Sequence, residues 1–231
     1  MVQTHLSGSI LMSTFTRNCF VALSILCLSA CGSEETQEDS ANDNSNTSQG
    51  NGSEATDPAA EVLANQFTIV TTLGTIQIEL DPVNAPITTA NFEQYADDGF
   101  YDGRDGDGAT VFHRVISNFM IQGGGYTESG SEKSSRSSID IESNNGLSND
   151  RGTLAMARTN DPNSATSQFF INHKNNSFLN YENDSNPGYA VFGVVVDGLD
   201  VVDAIAAVDT DGNDEPYTPV VITSVTRTPA P

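Results

Sequence analysis

The chain contains no tryptophan, and its three cysteines, Cys19, Cys27 and Cys31, all lie near its N-terminus. Everything after Cys31 therefore lacks a thiol, which excludes a disulfide or a cysteine metal site from any domain formed there. The chain also lacks an apolar run long enough to cross a bilayer as a helix. Its longest candidate, at 19–30, holds about a dozen residues, whereas a spanning helix needs about 20.

Basic side chains are also scarce. The chain has 9 Lys and Arg against 31 Asp and Glu, and its formal net charge is −22. From residue 66 onward there are 23 acidic and 8 basic residues, a net charge of −15. This sign excludes a nucleic-acid partner, because attraction to phosphates requires positive charge. Neither His113 nor His173 has the spacing of a zinc site, so we expect no metal ion and no cofactor.

The N-terminal segment has the pattern of an export signal. Arg17 precedes the apolar run, and the run ends in Leu-Ser-Ala-Cys at 28–31, which looks like a bacterial lipobox. We therefore predict a lipoprotein signal peptide over residues 1–30, with Met12 as a possible true start, and lipidation of Cys31. An ordinary secretory signal is the alternative. Gly32 after the cysteine favours the periplasmic face of the outer membrane, as in Gram-negative lipoproteins.

The segment after the lipobox is polar. Residues 32–61 are rich in Ser, Asn, Glu, Asp, Thr and Gly and include no Lys, Arg or aromatic residue. Such a segment cannot bury enough apolar surface to offset the entropy of ordering the chain. We predict that 31–61 is a lipidated cysteine followed by a disordered acidic tether, with a root-mean-square reach of roughly 30 Å.

The rest of the chain, 62–231, has the pattern of many short strands and two helices. Alternating apolar residues on both sides of Leu73 and Gly74 predict a hairpin. Pro86 opens a predicted helix that ends near Gly99. A second predicted helix carries Leu199, Val202, Ile205 and Ala206 on one face. Further strands are predicted at 110–115, 119–122, 153–157, 168–171, 189–195 and 220–226. This pattern alone favours a β-sandwich or a barrel without choosing between them.

Two motifs place strong polar groups inside otherwise apolar strands. The first runs Phe-His-Arg-Val-Ile at 112–116 and continues as Phe-Met-Ile-Gln-Gly-Gly at 119–124; the second is Ser-Gln-Phe-Phe-Ile-Asn at 167–172. They resemble the motifs of the cyclophilin family of peptidyl-prolyl isomerases, in particular its bacterial extracytoplasmic branch, over roughly 67–227. The resemblance implies an all-β fold, a closed eight-stranded antiparallel β-barrel capped by two α-helices, with 62–231 as the isomerase domain.

The resemblance assigns the catalytic role to Arg114. An arginine flanked by Phe112, Val115 and Ile116 is expected to face a pocket, because burying an unpaired charge is costly. In the family this arginine donates a hydrogen bond to the proline nitrogen as the amide twists. The alternative interpretation of Arg114 is a surface ion-pair residue on an edge strand.

The same resemblance implies which residues bind the substrate. Four apolar side chains form the proline pocket: Phe119, Met120, Phe170 and Leu179. Gln122 and Gln168 hold the arginine and the substrate backbone by hydrogen bonds, and Ala157 and Arg158 lie on the strand that pairs with the peptide. Phe178 replaces a tryptophan of eukaryotic members, and Tyr189 replaces a pocket histidine. The Arg158 side chain could equally be an ordinary exposed arginine.

These residues predict a peptidyl-prolyl cis-trans isomerase that assists the folding of exported proteins without a cofactor. Its expected partners are proline-containing segments of unfolded or exported proteins and, through the lipid on Cys31, a membrane; we expect a monomer. A lipid-anchored proline-recognising chaperone or scaffold with little turnover is the alternative, and a tethered surface adhesin is a third. The Asp- and Gly-rich stretches at 102–108 and 209–214 suggest calcium, but neither has the spacing of an EF-hand loop, so we interpret both as solvated turns.

Overall fold

The computed structural model describes residues 62–229. The predicted signal peptide, the lipidation site at Cys31 and the tether lie outside the described residues. Within 62–229, no helix combines the length and the apolar character that a membrane-spanning helix requires.

The described part of the chain folds mainly into antiparallel strands with two helices. Eight strands form one sheet, in the order β10-β1-β2-β9-β7-β8-β6-β5, and β3 and β4 form a separate small hairpin. The elements in chain order are β1 Val62–Thr71, β2 Gly74–Leu80, α1 Pro86–Asp97, β3 Asp102–Gly103, β4 Gly108–Ala109, β5 Arg114–Ile116, β6 Met120–Gly123, β7 Thr153–Met156, β8 Phe169–Asn172, a 3-10 turn at Ser177–Leu179, β9 Val191–Asp197, α2 Leu199–Ala206 and β10 Ile222–Pro229.

The expected eight antiparallel strands and two helices are confirmed, but the sheet does not close by pairing of its edge strands, β5 and β10. Among residues 62–229, the two ends of the sheet are joined through one bridge, between Val111 and Val221. Neighbouring hydrogen bonds support the bridge: Phe112 N donates to Val220 O at 2.9 Å, and Ile222 N donates to Thr110 O at 2.8 Å. The barrel is therefore an open sheet whose edges are joined by a bridge.

The edge of β5 explains this difference. Val115 N, on β5, donates to the backbone oxygen of Asp214 at 2.8 Å. The loop at 209–216 therefore occupies a hydrogen-bonding position that a neighbouring strand would otherwise use. The predicted strand at 110–115 is regular only from Arg114 onward, and Thr110 and Val111 form isolated bridges instead.

Each helix begins where its sequence predicts. α1 starts at Pro86, whose missing N–H costs nothing in the first turn of a helix. The free N–H groups of that turn bond to a residue distant in sequence: Ile87 N and Thr88 N donate to the Glu142 carboxylate at 3.0 and 2.7 Å. α2 follows Gly198, which has φ +86, and buries Val202, Ile205 and Ala206 against the sheet.

Apolar side chains form two separate clusters on opposite faces of the sheet. The main core holds the rings of Phe92, Tyr101 and Phe169, with Phe92 centred 5.2 Å from Tyr101 and 5.5 Å from Phe169. Phe170, the next residue of β8, belongs to the second cluster instead, because successive side chains of a strand point to opposite faces. The second cluster consists of Met120, Ala155, Phe170, Leu179 and Val191.

Candidate active site

The strand register places Arg114, the predicted catalytic residue, in a row across four neighbouring strands. Arg114 on β5 is directly opposite Gln122 on β6, Gln122 is opposite Phe170 on β8, and Phe170 is opposite Ala155 on β7. Directly opposed residues of paired strands project from the same face of the sheet. The four strands therefore carry a row of two polar and two apolar side chains on the face of the sheet that carries the second cluster.

A cavity of about 290 Å³, which we call the outer pocket, opens over this row. Its floor is apolar because Met120, Phe170 and Leu179 belong to the second cluster and are almost fully buried. The structure thereby brings together nine of the eleven residues predicted for catalysis and binding. The outer pocket is lined by Arg114, Phe119, Met120, Gln122, Ala157, Arg158, Phe170, Leu179 and Tyr189.

The other two predicted residues lie next to the outer pocket and do not line it. The Phe178 side chain is exposed, and its ring stacks on that of Phe119 with the centroids 5.8 Å apart. Gln168 lies behind Gln122 and accepts a hydrogen bond of 3.0 Å from Gln122 Nε2. Gly125 leaves room for it, because a Cβ at that position would lie 2.5 Å from Gln168 Cγ.

The guanidinium of Arg114 combines both interpretations given to it: it lines the outer pocket, and it is a partly exposed ion-pair residue on an edge strand. Arg114 Nε lies 3.5 Å from Asp214 Oδ2, and the two side chains are 44% and 42% exposed. The expected hydrogen bond between Gln122 and Arg114 is not formed among the described residues; Gln122 donates to Gln168 instead. Asp214 has φ +66, a backbone conformation that Asp adopts more readily than most residues.

The side chain of Arg158 is half-buried and held in place. Arg158 Nε and Nη2 both donate to Gly188 O, at 2.9 and 2.7 Å, and Nη1 donates to Thr159 O at 2.8 Å. Its guanidinium carbon lies 4.6 Å from the centroid of the Tyr189 ring, within the range of a cation–π contact. Arg158 is therefore a fixed wall of the outer pocket, and the interpretation as an ordinary exposed arginine is wrong.

Buried asparagines support the backbone of the outer pocket, and the sequence analysis missed their role. Asn149 Nδ2 donates to Leu179 O at 3.1 Å and to Tyr189 O at 3.4 Å, and Asn176 Nδ2 donates to Phe119 O at 2.9 Å. Asn172 connects the two, because its Nδ2 donates to Asn149 Oδ1 while its Oδ1 accepts from Asn176 Nδ2. The available signal was the density of asparagine at 144–149 and 172–180, on either side of β7 and β8.

His113, the residue before Arg114 in the first motif, is buried and favours its neutral form. Burial lowers its pKa from the usual 6.5, and the nearby positive charge of Arg114 lowers it further, although hydrogen bonding partly opposes this. Its ring packs edge-on against Tyr126 at 4.7 Å between centroids. Within residues 62–229, His113 does not line the outer pocket.

In each of the two Asp- and Gly-rich stretches, an aspartate carboxylate is bonded within the protein. Lys133 has only 2% of its side chain exposed, and its Nζ contacts Asp105 Oδ2 at 2.8 Å and the backbone oxygens of Phe100 and Gly108, both at 2.7 Å. The Asp211 carboxylate accepts from the backbone N–H groups of Asn213 and Glu215. In the described part of the chain, no group of three or more His, Cys, Asp or Glu side chains is arranged to hold a metal ion.

A larger cavity, of about 580 Å³, lies apart from Arg114 and the outer pocket. It is lined by residues of β2, β9 and 147–153, and it shares no residue with the outer pocket. Its lining includes Glu79, Asp81 and Asp150 but no basic side chain. We therefore place the site at the outer pocket, where an arginine, hydrogen-bonding amides and an apolar floor meet.

An eight-stranded antiparallel barrel with two helices and an arginine beside a small apolar pocket defines a cyclophilin-like isomerase, and comparison with known proteins agrees. Residues 66–227 match the family described as cyclophilin type peptidyl-prolyl cis-trans isomerase/CLD. The chain is 51% identical over 172 residues to a peptidyl-prolyl cis-trans isomerase of Acinetobacter baylyi, covering 72% of this chain and 88% of that protein. It is 48% identical over 165 residues to peptidyl-prolyl cis-trans isomerase B of Escherichia coli, covering 69% of this chain and 97% of that protein.

Solved structures give the same assignment. A cyclophilin type peptidyl-prolyl cis-trans isomerase of Cryptosporidium parvum, solved in the presence of the dipeptide Ala-Pro, matches with a TM-score of 0.58 and 27% identity, over 71% of this chain and 98% of that one. The cyclophilin AquaCyp293 of Hirschia baltica matches with a TM-score of 0.56 and 25% identity, over 71% and 73% of the two chains. The chain belongs to the cyclophilin-type family, and it is a peptidyl-prolyl cis-trans isomerase.

Proposed function

We propose that this isomerase rotates X-Pro bonds of exported proteins by non-covalent catalysis, with Arg114 as its catalytic residue. Rotation about an amide has a barrier of about 18–20 kcal/mol, because it breaks the conjugation between nitrogen and carbonyl. In the twisted state the proline nitrogen regains a lone pair, so a hydrogen-bond donor fixed beside it stabilises that state more than either planar form. No bond to the enzyme needs to form.

The row of Arg114, Gln122 and Phe170 is the observation that carries this proposal. The apolar floor at Phe170 suits the proline ring, and the guanidinium stands at the edge of the same cavity. Arginine is permanently charged and planar, so it can donate to nitrogen and carbonyl oxygen together. The Ala-Pro dipeptide named with the Cryptosporidium relative is consistent with a proline-sized site.

Two further features are suited to hold the part of the peptide that precedes the proline. Ala157 N donates to Gln168 O at 2.9 Å, which fixes the strand end beside the cavity. In the described part of the chain, no donor bonds the Ala157 carbonyl, so that oxygen is free to accept from a substrate N–H. The side chains of Arg158 and Tyr189, which contact each other, line the cavity beside this strand. We expect them to hold the substrate residue before the proline in an extended conformation along the strand.

The experiment for Arg114 uses proline-peptide turnover and binding together. Arg114→Ala in the full-length protein is expected to lower kcat/KM in a protease-coupled assay by about 100-fold or more, the usual effect of removing a donor aimed at a transition state. Peptide affinity should fall only a few-fold. Arg136→Ala, at an arginine outside the pocket, serves as the matched control. Unchanged turnover in Arg114→Ala would refute the assignment, and wild-type binding without turnover would favour the proline-recognising chaperone.

The extracytoplasmic site of action is part of the same proposal. It rests on the lipobox-like sequence before Cys31 and on the acidic tether that follows, with the periplasmic face of the outer membrane as the expected location. In a Gram-negative host, the wild-type protein should incorporate a radiolabelled fatty acid and sediment with outer membranes. Cys31→Ser should abolish both the label and the sedimentation. A labelled Cys31→Ser variant, or an unlabelled wild type, would contradict lipidation at this cysteine.

A further inference from the structure

A second cavity adjoins the outer pocket. It measures about 370 Å³, and we call it the side cavity. Gln122 lines both cavities, and its partner Gln168 lines the side cavity, so the hydrogen-bonded pair of amides separates the two spaces. The side cavity is lined by Val111, His113, Gln122, Tyr126, Thr127, Gly130, Gln168 and Glu215. A peptide bound with its proline in the outer pocket therefore has a second space within reach.

The two cavities carry opposite charges. The outer pocket is lined by two guanidinium groups, those of Arg114 and Arg158, and by no acidic residue. The side cavity is lined by one carboxylate, that of Glu215, and by no lysine or arginine. Within residues 62–229, no hydrogen-bond donor or cation is paired with the Glu215 carboxylate. His113, the one titratable base in the lining, is kept neutral by a pKa lowered through burial.

The backbone that carries Glu215 is held in place on both sides. Glu215 N donates to Asp211 Oδ1 at 3.0 Å, and Glu215 O accepts from Asp211 N at 2.9 Å. The preceding residue, Asp214, accepts from Val115 N on β5 at 2.8 Å, and the following residue, Pro216, is buried. The loop therefore presents two consecutive acidic residues to two different spaces: Asp214 beside Arg114, and Glu215 at the side cavity.

We propose that the side cavity is a substrate subsite for a cationic side chain, a lysine or arginine close to the isomerised proline. The inference rests on the proposed function, because it adds to the same site. Gln122 lines both cavities, and successive residues of an extended chain lie only about 3.3–3.6 Å apart, so we expect the cationic residue to be within a few positions of the proline. The net charge of −15 on residues 66–231 attracts such substrates at longer range.

The test compares substrates that differ only in charge. Proline peptides carrying Lys, Gln or Glu at each of the three positions before and after the proline are assayed with the full-length protein. At one position, kcat/KM for the Lys peptide should exceed that for the Glu peptide about 3- to 5-fold at low salt, the effect expected of an exposed ion pair. The Lys-to-Glu ratio of kcat/KM should fall towards one in 0.5 M NaCl, because salt at this concentration screens charges strongly.

Variants identify the residue responsible. Glu215→Gln should bring the Lys-to-Glu ratio close to one, and Glu215→Lys should reverse it. Asp197→Asn removes the same charge at an exposed position that lines neither cavity, so it should keep the wild-type ratio. A wild-type ratio near one, or an equal loss in Glu215→Gln and Asp197→Asn, overturns the subsite. Failure of the proposed function looks different: turnover of the Gln peptides would then be unaffected by Arg114→Ala.

Discussion

At the scale of single residues, the site depends on a few groups whose charge is set by their surroundings. An arginine side chain is a permanent cation, and at Arg114 the carboxylate of Asp214 lies beside it. His113 is the opposite case, because burial disfavours its charged form. Neighbours in the Phe-His-Arg motif thus differ in role: the arginine faces the outer pocket, and the histidine supports the wall behind it.

His113 predicts a specific loss of stability in mild acid. Its folded-state pKa is below the 6.5 of an unfolded chain, so as the pH falls below about 6.5 the unfolded state takes up a proton that the folded state does not. The free energy of unfolding of the wild type should therefore be lower at pH 5.5 than at pH 7.5, as measured by urea titration.

Replacing the histidine isolates this effect. In His113→Gln the difference between pH 7.5 and pH 5.5 should shrink. Asp81→Asn is the control, because hydrogen bonding with Asn84 lowers the Asp81 pKa from 3.8 and keeps that carboxylate charged over the whole range. An undiminished acid loss in His113→Gln would show that another group is responsible.

At the scale of strands, loops and helices, local sequence patterns predicted the elements but not their long-range contacts. The hairpin of β1 and β2, the start of α1 at Pro86 and the extent of α2 agree with hydrophobic periodicity and turn residues. Most strand ends differ by one or two residues, as in the strand predicted at 119–122 and found at Met120–Gly123, but the strand predicted at 110–115 is found at Arg114–Ile116 and the one predicted at 220–226 at Ile222–Pro229. These elements could be predicted because hydrophobic periodicity and turn residues are visible within short segments of the sequence.

The contacts that complete the site are not local. Asp214 is 100 residues from Arg114 in sequence, and it reaches the arginine only because its loop bonds to the edge of β5. Its stretch of Asp, Gly and Asn predicts a turn but not the strand against which the turn packs. The expected eight antiparallel strands and two helices are confirmed, and the sheet differs from a closed barrel only at this edge, where the loop bonds to β5.

The buried asparagines give a prediction at this scale. Asn149→Ala leaves the carbonyls of Leu179 and Tyr189 without their side-chain donor and should cost about 1–3 kcal/mol of unfolding free energy. Because these residues line the outer pocket, KM should rise more than kcat falls. Chemical denaturation and steady-state kinetics measure the two effects. Asn144→Ala, at an exposed asparagine that does not line the outer pocket, is the control and should change neither. A stable Asn149→Ala with unchanged KM would contradict the supporting role.

At the scale of the whole molecule, the main core and the candidate active site lie on opposite faces of the sheet. The main core fills one face, and the outer pocket lies on the second cluster at the other face. Substitutions at partly exposed pocket residues such as Arg114 should therefore leave the fold intact, so that their kinetic effects report on catalysis. The acidic surface of residues 66–231 is consistent with a site that attracts basic polypeptides.

The central claim is that the Arg114 guanidinium stabilises the twisted amide, and exchange on the enzyme tests it most directly. The cis-trans exchange rate of a bound proline peptide is measured by NMR for the wild type and for Arg114→Ala, both saturated with peptide. The account predicts an on-enzyme exchange rate about 100-fold lower in the variant, with the bound state still populated. An exchange rate equal to that of the wild type would contradict it.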